Sequence, residues 1–383
     1  MHPLSISHLD IELTQRCNLS CPYCYLGQHK QSGTISEQTL ENCLDLLAVW
    51  GAVKGKDPTS IDFYGGEPLA AFPQMRYFVE GAKARGYRLK YTIISNGTIA
   101  KPDIVDYCKR NGLKIQRSLD GCPSAMKLCR GEGTLDLYNK ATEGWRDYDR
   151  TRRSTVIPET AKFVAESLTY MHGLGFAKGM SPQPDYYADW SAEQADDFKR
   201  NLWLVAEELV RDVRAGRRPF YFYWFDREYA AHLTAGKDYR PSPGCGAGRS
   251  LWCCSWDGYL FICHRFSSEA RDSEFCAGAV ADVVAGMARG IGDRVKDCVG
   301  RCERKEMPES CRDCIGYYGC CRGCYHVNYK CTGDLQTPPP LYCELKRESA
   351  RVVTWIDGQL RGKNPQWWKP PQRRPKFTTA KSA

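Results

Sequence analysis

Residues 17–24 have the sequence CNLSCPYC, which places three cysteines (Cys17, Cys21 and Cys24) in one short loop with no histidine among them. A structural zinc site completes its coordination with four ligands. Three thiolates instead leave one iron of a [4Fe–4S] cube without a protein ligand, and a substrate-like molecule can bind at that open position. A zinc loop or three unrelated buried thiols are the alternatives, but the spacing favours an open iron–sulfur cluster.

The 383-residue chain contains 21 cysteines, seven before residue 244 and fourteen from Cys245 to Cys343. Secreted proteins use cysteines in disulfides, whereas cytosolic proteins use them as metal ligands. The N-terminus lacks the basic and apolar segments of a secretory signal, and no apolar run reaches the roughly 18 residues of a membrane span. We therefore expect a cytoplasmic protein, not bound to a membrane, whose cysteines bind metal.

The net charge of +9 is modest, and part of it lies in the terminal segment KPPQRRPKFTTAK. Nucleic-acid binding would require basic residues interleaved with aromatic ones along one element. The run PQWWKPPQRRPK comes closest, but it also fits a solvated, proline-interrupted terminus, which we favour over a nucleic-acid partner. A basic surface would equally attract an acidic peptide.

The first two-thirds of the chain alternates strand-like and helix-like segments. Residues 8–14 place Leu9, Ile11 and Leu13 on one face with a period of two, which predicts a strand leading into the cysteine loop. Strands are expected at 8–14, 60–64, 89–95, 113–118, 154–157 and 176–181, and helices at 36–50, 74–84, 103–111, 136–148, 160–174 and 192–215. Six such units predict an α/β fold with parallel strands, an open (β/α)6 partial TIM-like barrel.

Ligands of such sheets bind at the carboxyl ends of the strands, and the unusual motifs lie there. Gly65-Gly66-Glu67-Pro68 follows the second strand, and its glycines would let the backbone approach a ligand because they lack a Cβ. Glu67 offers a carboxylate to a cation. Ser95-Asn96-Gly97 and Ser118-Leu119-Asp120-Gly121 end the next two strands, where plain turns are the alternative.

The cysteine loop, the aromatic Tyr23 before its last cysteine and the Gly-Gly-Glu-Pro motif resemble the signature of the radical S-adenosylmethionine (SAM) superfamily. The resemblance implies the partial-barrel fold and a [4Fe–4S] cluster at Cys17, Cys21 and Cys24, whose open iron binds SAM. It also implies which residues contact SAM: Tyr23 near the adenine, Gly65, Gly66 and Glu67 near the amino group, and Ser118 and Arg130 at the ribose and carboxylate. Asn96 is a further expected cofactor-binding residue.

A second set of cysteines follows residue 244 in the pattern C-x12-G-x4-C, then C-x2-C-x5-C-x3-C and a final cysteine. The pattern comprises Cys245, Gly258, Cys263, Cys311, Cys314, Cys320, Cys324 and Cys343. It resembles the SPASM extension of radical SAM enzymes, which holds two auxiliary [4Fe–4S] clusters; a pair of zinc ribbons is the alternative. The resemblance implies one cluster on Cys245, Cys263 and Cys324, and another on Cys311, Cys314, Cys320 and Cys343.

The cluster expected at Cys245 lacks an evident fourth ligand. Some relatives carry a cysteine six residues after the first one, where this chain has Leu251. Cys253 and Cys254 lie nearby on a predicted strand, and only one of them can point at the cluster because neighbouring strand residues face opposite sides. Either that cysteine completes the set, or the cluster keeps an open site.

Composition changes sharply near residue 240, where glycine and cysteine become frequent. We expect a radical SAM core at 1–240, a SPASM domain at 241–350 and a flexible, basic, proline-rich tail at 351–383. The aromatic stretch 220–232 is expected to be a helical connector between the two domains.

The resemblance implies an enzyme that takes one electron from an external donor, such as flavodoxin or ferredoxin, and cleaves SAM to a 5′-deoxyadenosyl radical. SPASM proteins mostly modify peptides or proteins, so we expect hydrogen abstraction from a peptide side chain. The product would be a C–C or thioether crosslink in a ribosomally made precursor.

Two other reactions are alternatives. Anaerobic sulfatase maturases, which form formylglycine, have an aspartate base where this chain has His264, although a neutral histidine also accepts protons. Radical oxidation or rearrangement of a small molecule is the second alternative. A non-catalytic electron-transfer protein would not need the Gly-Gly-Glu-Pro motif or Arg130.

Overall fold

The computed structural model describes residues 6–27, 33–53, 58–145, 152–174, 180–217, 222, 224, 225, 228, 245–287, 292–303, 308–317 and 320–360. Its strands are β1 His8–Thr14, β2 Thr59–Gly65, β3 Leu89–Ser95, β4 Lys114–Arg117, β5 Arg152–Val156, β6 Met180–Pro184, β7 Leu251–Cys254, β8 Tyr259–Phe261 and β9 Cys276–Ala279. Its α-helices are α1 Glu37–Val49, α2 Phe72–Ala84, α3 Pro102–Arg110, α4 Pro123–Arg130, α5 Thr134–Trp145, α6 Val164–Gly173, α7 Ala192–Arg214, α8 Val280–Met287, α9 Asp293–Arg301, α10 Tyr325–Thr332 and α11 Pro340–Leu360.

The first six strands are parallel and follow one another in space. Strands β1 to β4 pair in sequence order, and β5 pairs with β6. A single bridge between Ser118 and Arg153 joins β4 to β5. Helices connect the strands, so the predicted open (β/α)6 partial barrel is confirmed.

Strand β1 lies between β2 and β7 in the sheet and is buried on both faces. Leu9, Ile11 and Leu13 are fully buried in the larger hydrophobic core, which also includes residues of α1 and α2. The opposite face carries Asp10 and Glu12, which are also buried. Because residues of a strand alternate between its faces, the interior of the barrel is polar while the helix-facing layer is apolar.

The cysteine-rich region begins as a continuation of this sheet. Strand β7 pairs parallel with β1 on the edge opposite β2, and β8 and β9 continue antiparallel. The register places Cys253 beside Asp10 and Cys254 beside Ile11. Cys253 therefore lies on the interior face of the sheet, and Cys254 lies on the face that packs against the helices.

The barrel differs from the sequence predictions at helix α4 and at the sixth strand. Helix α4 was not expected, and the sixth strand lies at Met180–Pro184 instead of 176–181. Its prolines are tolerated because β6 is an edge strand, whose outer backbone groups need no sheet partner. The expected connector at 220–232 lies mostly outside the described residues.

The expected flexible tail is wrong for residues 351–360, which belong to α11. Val352, Val353, Ile356 and Leu360 are buried there, against a core that α7 also forms. Lys199 and Trp203 of α7 bond the α11 carboxylates of Glu344 and Glu348, respectively. Residues 361–383 lie outside the described part.

Among the described helices, none is long and apolar enough to cross a membrane.

Candidate active site

The first cysteine group, Cys17, Cys21 and Cys24, lies in the loop that leaves the carboxyl end of β1. The loop is folded tightly, since the Cys24 N–H donates to the Cys21 carbonyl at 3.1 Å and the Leu19 N–H to Cys17 Sγ at 3.4 Å. All three thiols are partly accessible. They therefore face a space at the end of the sheet where ligands of parallel α/β folds bind.

The Gly-Gly-Glu-Pro turn supports this loop directly. The Gly66 N–H donates to the Thr14 carbonyl at 2.7 Å, and the Glu67 N–H to the Arg16 carbonyl at 2.8 Å. A Cβ on Gly65 would lie 2.1 Å from the Thr14 oxygen, and one on Gly66 would lie 2.3 Å from the Arg16 oxygen. In this structure, the backbone that requires the two glycines is that of the cysteine loop itself.

Glu67 is fully buried and its carboxylate is bonded within the fold. It accepts hydrogen bonds from Ser95 Oγ at 2.9 Å and from the Asn96 and Leu69 N–H groups at 2.8 and 3.0 Å. Burial raises the pKa of Glu67 to about 7, although these hydrogen bonds oppose the rise. The side chain therefore joins the turn after β2 to the end of β3.

Asn96 extends this connection to the cysteines. Its Nδ2 donates to Asn18 Oδ1 at 2.8 Å and lies 3.7 Å from Cys17 Sγ. Its Oδ1 accepts from the Thr98 N–H at 3.0 Å. Asn96 thus holds the start of the cysteine loop against the carboxyl end of β3.

Tyr23, Asp120 and Arg130 form a buried group beside the same loop. Tyr23 Oη donates to Asp120 Oδ2 at 2.6 Å, and Arg130 Nε is 2.6 Å from the same oxygen. The Arg130 guanidinium also lies 5.7 Å from the Tyr23 ring centroid. Ser118 lies at the end of β4 in the same region, where its N–H donates to the Ser95 carbonyl. The predicted contact residues are therefore brought together.

The spacing of the thiols can be compared with the needs of a metal. Sulfurs that share one tetrahedral zinc lie roughly 4 Å apart, because each Zn–S bond is about 2.3 Å. Among the described residues, the only group of three or more His, Cys, Asp or Glu side chains whose ligand atoms all lie within 4.8 Å of one another is His8, Asp10 and Asp62. The first-group thiols are nevertheless close enough to interact electrostatically. In a [4Fe–4S] cube each thiolate binds a different iron, so the sulfurs do not have to meet at one metal ion.

Two further cysteine groups form in the cysteine-rich region. Burial raises the pKa of Cys263 well above its usual range, and the nearby Cys324 and Cys245 thiolates add to the rise. We call these three the second group. Burial likewise raises the pKa of Cys343, and the Cys311 and Cys314 thiolates raise it further, whereas Arg347 lowers it. Cys320 also interacts with Cys343. We call Cys311, Cys314, Cys320 and Cys343 the third group.

The interior face between the first and second groups is lined by polar and aromatic side chains. His264, which follows Cys263, has Nδ1 at 2.7 Å from Asp10 Oδ2. Its ring lies 6.1 Å from that of Tyr25, the residue after Cys24, and 5.3 Å from that of Tyr64. The two cysteine groups therefore face a shared interior space.

Cys253 and Cys254, the two neighbouring cysteines on β7, have different partners. Cys253 Sγ is 2.7 Å from Tyr64 Oη, and it interacts with Cys263 of the second group. Cys254 instead interacts with Cys43 of α1. Of the two, only Cys253 lies on the face of the second group.

Sequence reasoning missed Asp10, Asp120, Arg153 and Arg265. Asp120 lies within the motif Ser118-Leu119-Asp120-Gly121, which indicated a turn at the end of a strand but no partner for the Asp120 carboxylate. Asp10 is a polar residue within the buried strand β1, and that was its available signal.

Residues 11–167 match the model of the Radical SAM superfamily. An uncharacterized protein of Methanocaldococcus jannaschii is 28% identical over 149 residues, which are 35% of this chain and 50% of that protein. The antilisterial bacteriocin subtilosin biosynthesis protein AlbA of Bacillus subtilis is 23% identical over 222 residues, 57% of this chain and 39% of AlbA. The matches thus span half or less of the length of these two relatives.

Two solved structures share the fold. Native anSMEcpe with bound AdoMet and the Cp18Cys peptide has a TM-score of 0.70 and 18% identity, covering 92% of this chain and 99% of that one. Streptococcus suis SuiB bound to the precursor peptide SuiA has a TM-score of 0.58 and 16% identity, covering 88% and 76%. The family match, the barrel and the supported cysteine loop agree: this chain contains a radical SAM domain, which includes residues 11–167.

Proposed function

We propose that this chain is a radical SAM/SPASM enzyme that installs an oxidative C–C or thioether crosslink in a ribosomally made precursor peptide. The observation that carries the proposal is the shared interior space between the first and second cysteine groups. Tyr25 and His264 come directly after a cysteine of each group, and their rings are 6.1 Å apart. A substrate held there would lie between two iron–sulfur sites.

The residues present fit the cofactors that the family uses. The first group would hold a [4Fe–4S] cluster with an open iron for SAM, and the second and third groups would hold the two auxiliary clusters. Tyr23, Gly65, Gly66, Glu67, Asn96, Ser118 and Arg130 remain the proposed SAM-binding residues. When bound and reduced by an external donor such as ferredoxin or flavodoxin, this cofactor pair supplies a 5′-deoxyadenosyl radical, which abstracts hydrogen from the substrate.

The protein's own part is positioning and proton transfer. Asp10 would hold His264 through the 2.7 Å contact at Nδ1, which directs the other ring nitrogen elsewhere in the site. That nitrogen is the proposed acceptor of the proton that the substrate loses during oxidation. The auxiliary cluster expected on the second group would be the acceptor of the electron that the substrate loses with it. Tyr25 and Tyr64 pack around the imidazole and reduce its access to water.

The peptide substrate is supported by relatives of different kinds. Both solved structures contain a bound peptide, which is a precursor peptide in SuiB. AlbA acts in the biosynthesis of the bacteriocin subtilosin.

We further propose a core domain at 1–240 and a SPASM domain from 241, although β7 of the second continues the sheet of the first.

A second candidate function is formylglycine formation of the sulfatase-maturase type. One observation favours it: Asp10 places a carboxylate against His264, close to where those enzymes carry their aspartate base. A sulfatase encoded beside the gene, with a cysteine or serine in its modification sequence, would support this reaction. A short precursor reading frame would instead support crosslinking.

The central test uses anaerobically reconstituted protein. It should bind about twelve irons per chain, and alanine at Cys17, Cys21 and Cys24 together should remove about four. With SAM and a strong reductant, the wild-type protein should release 5′-deoxyadenosine, and the triple variant should not. A Cys108→Ala variant, which alters a buried thiol on α3, is the matched control. Equal 5′-deoxyadenosine from the triple variant would refute the assignment.

The substrate class is tested by mass spectrometry of a co-expressed precursor peptide. Each crosslink removes two hydrogens, so the modified peptide should be about two mass units lighter per crosslink. A peptide recovered unchanged, beside an oxidised amino acid or sugar product, would favour the small-molecule reaction instead.

A further inference from the structure

Two arginines project into the interior space between the first and second cysteine groups. Arg265 lies two residues after Cys263, in the short 3-10 turn His264–Phe266. Its guanidinium is 5.8 Å from the Tyr25 ring centroid, next to the first group. Arg153 lies on β5, where its carbonyl accepts from the Leu119 N–H. Both arginines interact electrostatically with Cys324 of the second group.

Arg265 has neutral partners. Its Nη1 donates to Tyr187 Oη at 3.1 Å, and the Tyr187 ring centroid is also 5.8 Å from the guanidinium. Tyr187 is held in turn by His326 Nδ1, at 2.6 Å from its hydroxyl. Two tyrosine rings thus fix the direction of the Arg265 guanidinium without neutralising it.

Among the described residues, Arg153 interacts with acidic groups only at a distance, without an ion pair. Within the described part of the chain, neither arginine forms an ion pair with a carboxylate, and no hydrogen bond of the Arg153 side chain is present. The Arg153 side chain is accessible although protein surrounds it, as expected for a group that projects into an interior space. Burial and Arg265 both lower its pKa, whereas Tyr25, Asp10 and Cys324 oppose the change.

The nearby carboxylates of Asp10 and Asp185 form no ion pair with either arginine among the described residues. Asp10 is bound by His264 at 2.7 Å and by His8 Nε2 at 3.0 Å, so its carboxylate is already shared by two imidazoles. Asp185 interacts electrostatically with Arg265 but forms no ion pair with it in the described part of the chain. Two guanidinium groups that face one open space and form no ion pair with a carboxylate are a site for an anion. Arginine suits a carboxylate because its planar fork donates two parallel hydrogen bonds.

We propose that Arg153 and Arg265 bind a carboxylate of the substrate peptide, supplied either by an Asp or Glu side chain or by the peptide's C-terminus. This inference rests on the proposed function, because it assumes that a peptide enters the space between the cysteine groups. The bound carboxylate would fix the distance between one end of the substrate residue and the SAM site. The arginine pair would therefore select which residue of a peptide is positioned for reaction.

The test measures binding, so that it does not depend on turnover. A pool of synthetic 12-residue peptides is prepared in four matched forms, with or without Asp and Glu, and with a C-terminal acid or amide. Cluster-loaded, SAM-bound protein selects from the pool under anaerobic conditions, and mass spectrometry identifies the retained peptides. The variants are Arg153→Gln, Arg265→Gln and Arg153→Lys, with Arg110→Gln on the exposed end of α3 as control.

Wild-type protein and Arg110→Gln should enrich peptides with a free carboxylate by about tenfold over their neutral counterparts, as charge-assisted hydrogen bonds predict. Arg153→Gln and Arg265→Gln should lose most of this preference, and Arg153→Lys should keep part of it. If the preference follows Asp and Glu, the source is a side chain; if it follows the terminal acid, the source is the C-terminus.

Several results would overturn the inference. The inference would be wrong if the wild-type protein retained acidic and neutral peptides equally, or if it retained no peptide at all. A loss of SAM affinity in Arg153→Gln with unchanged peptide preference would assign Arg153 to the carboxylate of SAM. A loss of about four irons would assign it to balancing a cluster's charge. Wild-type protein that releases no 5′-deoxyadenosine would instead refute the proposed function, so the two failures are distinguishable.

Discussion

Arg130 and Asp120 form a buried ion pair in which Arg130 Nε lies 2.6 Å from Asp120 Oδ2. The same carboxylate accepts from Tyr23 Oη at 2.6 Å and from the Thr155 N–H at 2.8 Å. Asp120 therefore connects the cysteine loop, α4 and β5. Any role of Arg130 toward SAM depends on how Asp120 holds its guanidinium.

We predict that Arg130→Gln weakens SAM binding by about tenfold or more, because it removes a charge-assisted contact to the SAM carboxylate. The iron content should stay unchanged, since arginine is no cluster ligand. Equilibrium binding of labelled SAM and iron analysis check the two parts. The control is Lys127→Gln, an exposed residue one turn earlier on α4. Unchanged SAM affinity in Arg130→Gln would show that the ion pair is structural only.

We predict that Gly66→Ala displaces the first cysteine group. The new Cβ would lie 2.3 Å from the Arg16 carbonyl oxygen, which is backbone and cannot rotate away. The reconstituted protein should therefore lose about four irons per chain, together with SAM-dependent 5′-deoxyadenosine release. Gly173→Ala is the control, because its Cβ would meet nothing within 4 Å. A fully loaded, active Gly66→Ala protein would contradict the close packing described above.

Much of the barrel could be predicted from the sequence because its strands and helices have strong local periodicity. The third strand was expected at 89–95 and is Leu89–Ser95, and the first was expected at 8–14 and is His8–Thr14. Both are short segments whose apolar residues recur with a period of two. The cysteine loop and the Gly-Gly-Glu-Pro turn were recognisable for the same reason, since each is a contiguous motif.

The rest depends on contacts between distant parts of the chain. Tyr23 and Asp120 are separated by 97 residues, and His264 and Asp10 by 254, so no local pattern indicates either pair. Periodicity shows that Asp10 lies on a strand, but not which residue faces it across the barrel. The end of α11 was misassigned for a different reason. The proline-rich sequence that follows Leu360 suggested a tail, and it obscured the helical spacing of Val352, Val353 and Ile356.

We predict that Cys314→Ala lowers soluble yield as well as activity. The third cysteine group lies in a region with few long elements, and cluster binding contributes folding energy where the apo form buries little core. The variant should lose about four irons and give less soluble protein. Cys331→Ala is the matched control because Cys331 is an exposed cysteine outside the three groups. A soluble and fully active Cys314→Ala protein would contradict a structural role.

The last prediction concerns Glu12, which is fully buried on the interior face of β1. Burial raises its pKa to about 7 from an ordinary 4.5, and the hydrogen bonds from the Trp256 N–H and Gln15 Nε2 oppose the rise only weakly. Between pH 4.5 and about pH 7, Glu12 therefore stays protonated in the folded protein but is ionised in the unfolded chain. The free energy of unfolding should therefore decrease as the pH rises from 4.5 to 7.

Glu12→Gln removes this titration, so its stability relative to the wild-type protein should increase with pH. From pH 5.5 to pH 8 the relative gain should be about 2 kcal/mol, since one pKa unit corresponds to about 1.4 kcal/mol. Any cost of placing an amide opposite the Trp256 N–H is independent of pH and shifts both values equally. Anaerobic thermal unfolding of both proteins at the two pH values measures the difference. Glu143→Gln, on the exposed side of α5, is the control variant. If the stability of Glu12→Gln relative to the wild-type protein stayed constant or decreased as the pH rose, Glu12 would be ionised in the folded protein throughout this range.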